Sequence, residues 1–428
     1  MAAITVKTEV QFDGTNWIEI SQFVTRVGIS YGRQRILTDA SAGGCTIQVE
    51  NRTNWLTPGH SDSTYGNTQL INRSVRVSAV TTGGSDNYPT YLFRGVITDL
   101  DMTAQHESSK VTIKVVDGFN RLATATFSGT MAQAFTGVRV AEVLNKSTVN
   151  YPNSTNPVDR DIDLGLVQAE AQTVTNQGAL NYLQQLARTE GGKFVVNHAG
   201  TPSATNQGGV LSFLSANSAT NNFGITVSDA ASLPSGGVEA VNLLLQYGSE
   251  QLFNSAEITA STTAVQTATD TTSINKYGER VLKRTVLSGN TQADELADYL
   301  VHILKETDLR VAAVTIDVAS QATADAEKLL HVNVNAALGL RYLPPGSSTA
   351  IIDTLIVEGV KLDITPRNMA VNSATIRATY STSSADAGYF TLNDAVLGTL
   401  PVVLAPSWVV TSGFRLDDPD RGKIPVTL

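Results

Sequence analysis

This 428-residue chain has a single cysteine, Cys45, so no internal disulfide can form. Cys45 falls in a strand-like alternation and reads as a small core residue. Charge is sparse: 16% of the residues are charged, and the formal net charge is −9. A protein that reads nucleic-acid sequence normally carries a basic stripe, and none runs through this chain. The short clusters Arg33/Arg35 and Lys283-Arg284 read as strand-edge or solvated positions. Aromatics make up 6%, with three Trp, at 17, 55 and 408, too few for the clustered exposed rings expected of a carbohydrate-binding adhesin. The five histidines, at 60, 106, 198, 302 and 331, are far apart and lack metal-ligand spacing. No GxGxxG, GxxxxGK[ST], GxSxG or HExxH occurs, which removes the common nucleotide loops, nucleophile elbows and zinc helices. No apolar run approaches membrane-spanning length, and MAAITVKTEV lacks the apolar centre of a signal peptide, so maturation in a cytoplasm is expected.

What is present favours strands. The chain is 42% hydrophobic with 33 Gly, enough apolar material for real cores and for about two to four domains. Residues 1–118 read as a β domain, with strand candidates at 5–12, 17–30, 45–50, 74–80, 91–100 and 110–116. Val24, Val27 and Ile29 alternate with polar residues, as do Cys45, Ile47 and Val49, and then Val111, Ile113 and Val115. Residues 119–235 change character. Helical turns begin at 117–122 and 139–145, and a helix is expected over 179–190. Leu180, Leu183, Leu186 and Ala187 line its face, and Gly191-Gly192 ends it. A hairpin, KFVVNHAG and GGVLSFL, follows. Residues 236–380 read as a second β domain with one helix, in which Leu296, Leu300, Leu304 and Ile303 form the apolar stripe and Thr291 caps the start. Strands are expected at 311–318 and 355–364, the latter pairing with 375–380.

The last segment, 381–428, holds a duplication. FTLNDAVLGTLPVVL begins at Phe390 and FRLDDPDRGKIPVTL at Phe414, with seven identities in fifteen positions at an offset of 24. Two units are too few for a solenoid. Neither can bury its Phe, Leu and Val alone, so each is expected to dock on a surface, its own or a neighbour's. Phe390, Leu392, Leu404, Phe414, Leu416, Ile424 and Val426 are the candidate docking residues, in an extended arm. Asp417-Asp418-Pro419-Asp420 invites a calcium reading, but Pro419 sits early in the loop and Leu428 occupies the place of the closing Glu. No metal or cofactor is expected.

Short motifs carry a resemblance. Ser30-Tyr31-Gly32-Arg33 ends one strand pattern and Glu50-Asn51-Arg52 the next. Phe93-Arg94-Gly95-Val96-Ile97 has an Arg-Gly pair before alternating apolar residues. Gly191-Gly192 leads from a helix to a short strand, turn and strand ending in Leu-x-Phe. Phe253-Asn254-Ser255 precedes an alternating strand. Ser273, Tyr277, Gly278 and Arg280 fall at the spacing Ser-x-x-x-Tyr-Gly-x-Arg, and LIVEGVKLDI carries Val-x-Gly-Val. Together these resemble the tail hub (minor tail) proteins of long-tailed bacteriophages, across most of residues 17–400. The stretch 323–350 departs from the family: its usual Gly-Asp is replaced by Ala337-Leu338-Gly339-Leu340.

The resemblance implies a mainly β fold: two β-barrel-like domains (1–118 and 236–380), an α/β helix–hairpin insert (119–235) and the C-terminal arm. It implies a non-enzymatic trimeric ring at the distal tail tip of the virion, made in the bacterial host cytoplasm. The expected partners are the chain itself, the distal tail protein, the tape-measure protein and other minor tail or receptor-binding proteins. Genomic DNA would pass without sequence-specific binding, and mild acidity suits such a wall because like charges repel. Some tail-tip proteins add a peptidase or lysozyme domain, but no remaining segment is long enough for one. A distal tail ring protein is the alternative within the virion, and an adhesin the alternative outside that class. Arg33, Asn51, Arg52, Gly191, Gly192, Tyr277, Gly278 and Arg280 are the residues carried over from the family motifs.

Overall fold

The computed structural model describes residues 2–384, apart from 62, 106–107, 230–232, 235, 308–309 and 369–372. Both copies of the C-terminal duplication, from Phe390 through Leu392, Leu404, Phe414, Leu416, Ile424 and Val426, lie outside the described residues.

The alternating segments form strands, though the one expected over 17–30 is broken by a 3-10 turn at Ser21–Phe23 and its long part begins only at Val24. In the N-terminal part these are β1 (Ile4–Val10), β2 (Val24–Gly32), β3 (Ser41–Glu50), β4 (Ser74–Thr81), β5 (Thr90–Gln105) and β6 (Ser108–Val116). Later come β7 (Asn221–Ser228), the two-residue β8 (Val238–Glu239), β9 (Asn242–Gln246), β10 (Arg310–Asp317), β11 (Ala336–Tyr342), β12 (Ile351–Asn368) and β13 (Ser373–Ser384). The buried residues of β2, β3 and β6 include Val27, Ile29, Cys45, Ile47, Val49, Val111, Ile113 and Val115 at the period of two, and Val24, which a bulge between Val24 and Arg26 returns to the same face. Cys45 is a core residue, and burial pushes its thiol well above the ordinary range.

The pairings run in two circuits that share one long hairpin. The first passes β2–β3–β6–β5–β4–β1–β13–β12 and returns to β2. The second passes β7–β11–β12–β13–β10–β9. It returns through β8, which pairs with β7, while Ala240 and Val241 bond alternately to Ser228 and Thr315. Neither is a continuous barrel wall. β1 meets β13 at the single pair Thr5↔Ser373, and β7 meets β8 at two pairs. Backbone pairing therefore crosses the expected boundaries at 118 and 235: the N-terminal circuit is completed by strands from 351–384.

The insert places α1 (Phe119–Thr124), α2 (Thr136–Asn145) and α3 (Ala179–Glu190) beside a three-stranded sheet whose hairpin is Lys193–Asn197 and Val210–Leu214. α3 ends as its sequence predicts. Gly191 has φ +70°, and the amides of Gly191 and Gly192 return to the carbonyls of Arg188 and Ala187. The fully buried Arg139 of α2 ties it to α3 by donating to the Tyr182 hydroxyl at 2.9 Å.

A smaller unit interrupts the second circuit. Strands Val265–Thr269, Ser255–Thr259 and Val281–Thr285 form its sheet, which α5 (Asn290–Leu304) covers. The face of α5 is rotated from the expected one. It buries Ala293, Ala297, Leu300, Val301 and Leu304, leaving Leu296 and Ile303 at the margin. Its N-cap is Gly289, with no side-chain cap, and Thr291 lies inside the helix. Ala293 and Ala297 are fully buried in this unit's core, so a stripe drawn through leucines alone misses part of the contact line. Two further helices stand where no helix was expected: α4 (Thr271–Tyr277) and α6 (Thr323–His331). Each is too short to show a clear helical period. Among the described residues, no helix is long and apolar enough to cross a membrane.

Candidate junction site

Arg33, Gly191 and Gly192 converge on one cleft, whose centre is a residue the sequence reading passed over. Glu358 is on β12 at a β-bulge: the register shifts between the pairs Val357↔Thr382 and Gly359↔Ser381. The extra residue turns the Glu358 side chain inward, where it is 2% exposed. Arg33 Nε donates to Oε2 at 2.6 Å, Lys193 Nζ lies 3.2 Å from Oε1, and Ser383 Oγ donates to Oε1 at 2.8 Å. The Arg33 amide also donates to the Glu358 carbonyl at 2.8 Å. Burial alone would raise the Glu358 carboxyl, but the charges of Lys193 and Arg33 outweigh it and bring it to about 2. Lys193 is held below the ordinary lysine range by burial, with Glu358 opposing and Arg33 adding to the lowering. One carboxylate thus serves two cations contributed by different parts of the chain. The expectation that Arg33 sits solvated at a strand edge is corrected: its side chain is 12% exposed and ion-paired.

The cleft around this group is about 250 Å³ in volume and opens between the β circuits, α3 and the smaller unit. The loop after Arg33 is fastened from both sides. Gln184 donates to the Ala40 carbonyl at 3.0 Å, and Arg188 pairs with Asp39 at 3.3 Å, both from α3. From the smaller unit, Arg284 donates to the Leu37 carbonyl at 2.9 Å, and Arg35 pairs with Glu250, which precedes that unit, at 2.7 Å. Arg284 is thus also a bound junction residue rather than a solvated one. Basic residues recur here because an arginine fork reaches carbonyl and carboxylate oxygens on a neighbouring element.

The other motif residues lie elsewhere. Asn51 is 1% exposed and organises the turn after β3: Oδ1 accepts from the Leu56 amide at 3.0 Å, and Nδ2 donates to Thr57 at 2.8 Å. Arg52 is exposed, 3.4 Å from Glu50. Gly278 and Arg280 gather around Asn254, which is fully buried. Asn254 Nδ2 donates to the Gly278 carbonyl at 2.9 Å and to Ser273 Oγ at 3.2 Å, and Oδ1 accepts from the Arg280 amide at 2.8 Å. Tyr277 donates to Glu306 at 2.8 Å, just past α5. The Arg280 guanidinium donates to the Ser249 carbonyl at 3.2 Å and so braces the segment that precedes the smaller unit.

Most of these polar groups bond to one another, while Arg188 Nε and His198 Nε2 are buried without a hydrogen bond. Glu358 is ionised and fully engaged. His198 is 1% exposed, stacks on Phe93 and accepts from the Arg94 amide at 3.1 Å. No group of three or more potential metal ligands occurs among the described residues. Trp55 is buried against Phe23, and the Arg76 guanidinium lies over the Trp17 ring at 4.1 Å.

No protein-family model and no curated protein matches the sequence. Solved structures do. The chain is similar to the tail protein from Neisseria meningitidis MC58 at 10% identity and TM-score 0.55, over 88% of this chain and 96% of that one. It is similar to the 43 kDa tail protein of prophage MuSo2 from Shewanella oneidensis at 9% identity and TM-score 0.51, again over 88% and 96%. At these identities the likeness is one of fold, and that fold is the phage tail protein fold that the motifs implied.

Proposed function

We propose, from the tail-protein fold, that this chain is a structural hub protein at the distal tail tip of a long-tailed phage, working as a trimeric ring. The observation that carries the reading is the pair of β circuits joined through one hairpin, within a fold similar over 88% of this chain to that of a tail protein. Three chains with two circuits each would present six comparable faces, so a threefold ring could meet a sixfold tube or distal tail ring. The junction at Glu358 supports this use. It fixes insert, hairpin and N-terminal strands as one body, which a ring transmitting force along a tail requires. In this reading the ring adjoins the distal tail protein, holds the end of the tape-measure protein, and opens on host contact to release DNA. The second copy of the C-terminal repeat would present Phe414, Leu416, Ile424 and Val426 to a distal component.

Symmetry decides the matter. Mass photometry of the purified protein and a reconstruction of tail tips carrying this chain should give three copies per tail. A sixfold ring with one circuit of each chain lining the tube would replace the hub reading with that of a distal tail ring protein.

A further inference from the structure

A second groove, about 700 Å³, adjoins the Glu358 cleft, and Ser383 and Ser384 at the end of β13 line both. One wall is the sheet face of β9, β10 and β13; the other is α5 and Ile36. Its apolar lining includes Leu244, Tyr247, Tyr299, Ile303, Ala312 and Ala313. Leu244 is 45% exposed and Tyr247 is 70% exposed, so two large side chains at this groove stand in water as the described residues leave them. Ser381 to Ser384 form part of the lining, and the chain continues from Ser384 for another 44 residues.

We propose that the first copy of the repeat, Phe390–Leu404, folds back and occupies this groove on its own chain. Three observations point to this occupant. The chain leaves from the groove itself, and five residues lie between Ser384 and Phe390, a reach of up to about 20 Å. The segment supplies Phe390, Leu392, Leu397 and Val402, apolar groups that cannot form a core of their own. Residues 385–404 carry Asp386 and Asp394 and no Lys or Arg, while the charged residues lining this groove are Arg35 and Arg310 against Glu250. So short a tether gives the segment an effective concentration in the millimolar range, ahead of a neighbouring copy at ordinary protein concentration. The inference does not depend on the tail-tip reading.

Two measurements on the full chain test it. In the Leu244→Cys/Leu392→Cys variant, mild oxidation should produce a disulfide within one chain, seen as a shifted band at monomer mass. The native Cys45 is buried and stays silent. A dimer-mass band would assign the groove to a neighbouring copy, and no cross-link would leave it without this occupant; either overturns the proposal. In hydroxyl-radical footprinting, Tyr247 of the wild type should be shielded. Phe390→Ser/Leu392→Ser should raise its labelling about tenfold, the scale of losing a local contact worth about 1.4 kcal/mol. Phe414→Ser/Leu416→Ser should leave it unchanged. Equal, fast labelling in all three proteins, or shielding lost only with the second copy, would also overturn the assignment.

Discussion

Gly32 and Gly359 are register partners across β2 and β12, and neither has room for a side chain. A Cβ on Gly32 would lie 2.5 Å from the Glu358 carbonyl oxygen and 2.8 Å from the Gly359 Cα; one on Gly359 would lie 2.6 Å from the Arg33 carbonyl oxygen. This close approach lets Arg33 reach Glu358 with both its amide and its guanidinium. Gly32 also has φ +88°, where a side chain is strained whatever the space. Gly32→Ala should therefore destabilise the chain by about 2–4 kcal/mol, combining strain with a backbone clash. Urea unfolding is the measurement, and a midpoint equal to wild type would mean that the two strands can part without consequence.

Gly278 makes the comparison sharp. It has φ +78° and ψ 159° as the C-cap of α4, yet a Cβ there meets nothing within 4 Å. Only the backbone term applies, so Gly278→Ala should cost about 1–2 kcal/mol, less than Gly32→Ala. If the order of the two substitutions were reversed, the steric account of Gly32 would be wrong.

Asn254 gathers Ser273, Gly278 and Arg280, since its one amide group contacts all three. Asn254→Ala leaves the Arg280 amide and the Gly278 carbonyl without this partner, at about 1–3 kcal/mol for each buried group left unsatisfied. The damage should be local. Hydrogen exchange should quicken over residues 255–285 while β2, β3 and β6 keep their protection. A uniform loss across the chain would show that the smaller unit does not open separately.

The legible part of this chain was its faces, not its partners. Period-two alternation identified the inward residues of β2, β3 and β6, and the glycine stop after α3 was readable because a left-handed C-cap strongly favours glycine. The local pairing of β12 with β13 was likewise visible from adjacency. The pairing of β12 with β2 was not, because alternation says which side of a strand is buried and nothing about a neighbour more than 300 residues away. Glu358 escaped notice for a related reason. A bulge inserts one residue without a composition of its own, so a glutamate in an apolar strand looks outward until the register shift turns it in. Arg33 was singled out by its motif, but its partners, Glu358 and the carboxylate's second cation Lys193, come from two other parts of the chain.

The Glu358 group makes a prediction with a definite pH window. Its carboxyl titrates near 2 in the folded chain, against about 4.3 for an unperturbed glutamate. The folded state therefore binds this proton less readily than the unfolded state. The resulting stability is fully present above about pH 4.5 and is lost as pH falls toward 2, with a total of about 3 kcal/mol. Glu358→Gln should flatten that part of the pH dependence. It should also destabilise the protein at neutral pH by about 3–5 kcal/mol, because Lys193 and Arg33 are left buried without their counterion. Adding Lys193→Met removes one of those stranded charges and should recover part of the loss. Denaturant midpoints at pH 3, 4, 5 and 7 for the wild type and both variants provide the test. Parallel curves for wild type and Glu358→Gln between pH 3 and 5 would show that this carboxylate does not hold the three parts of the chain together.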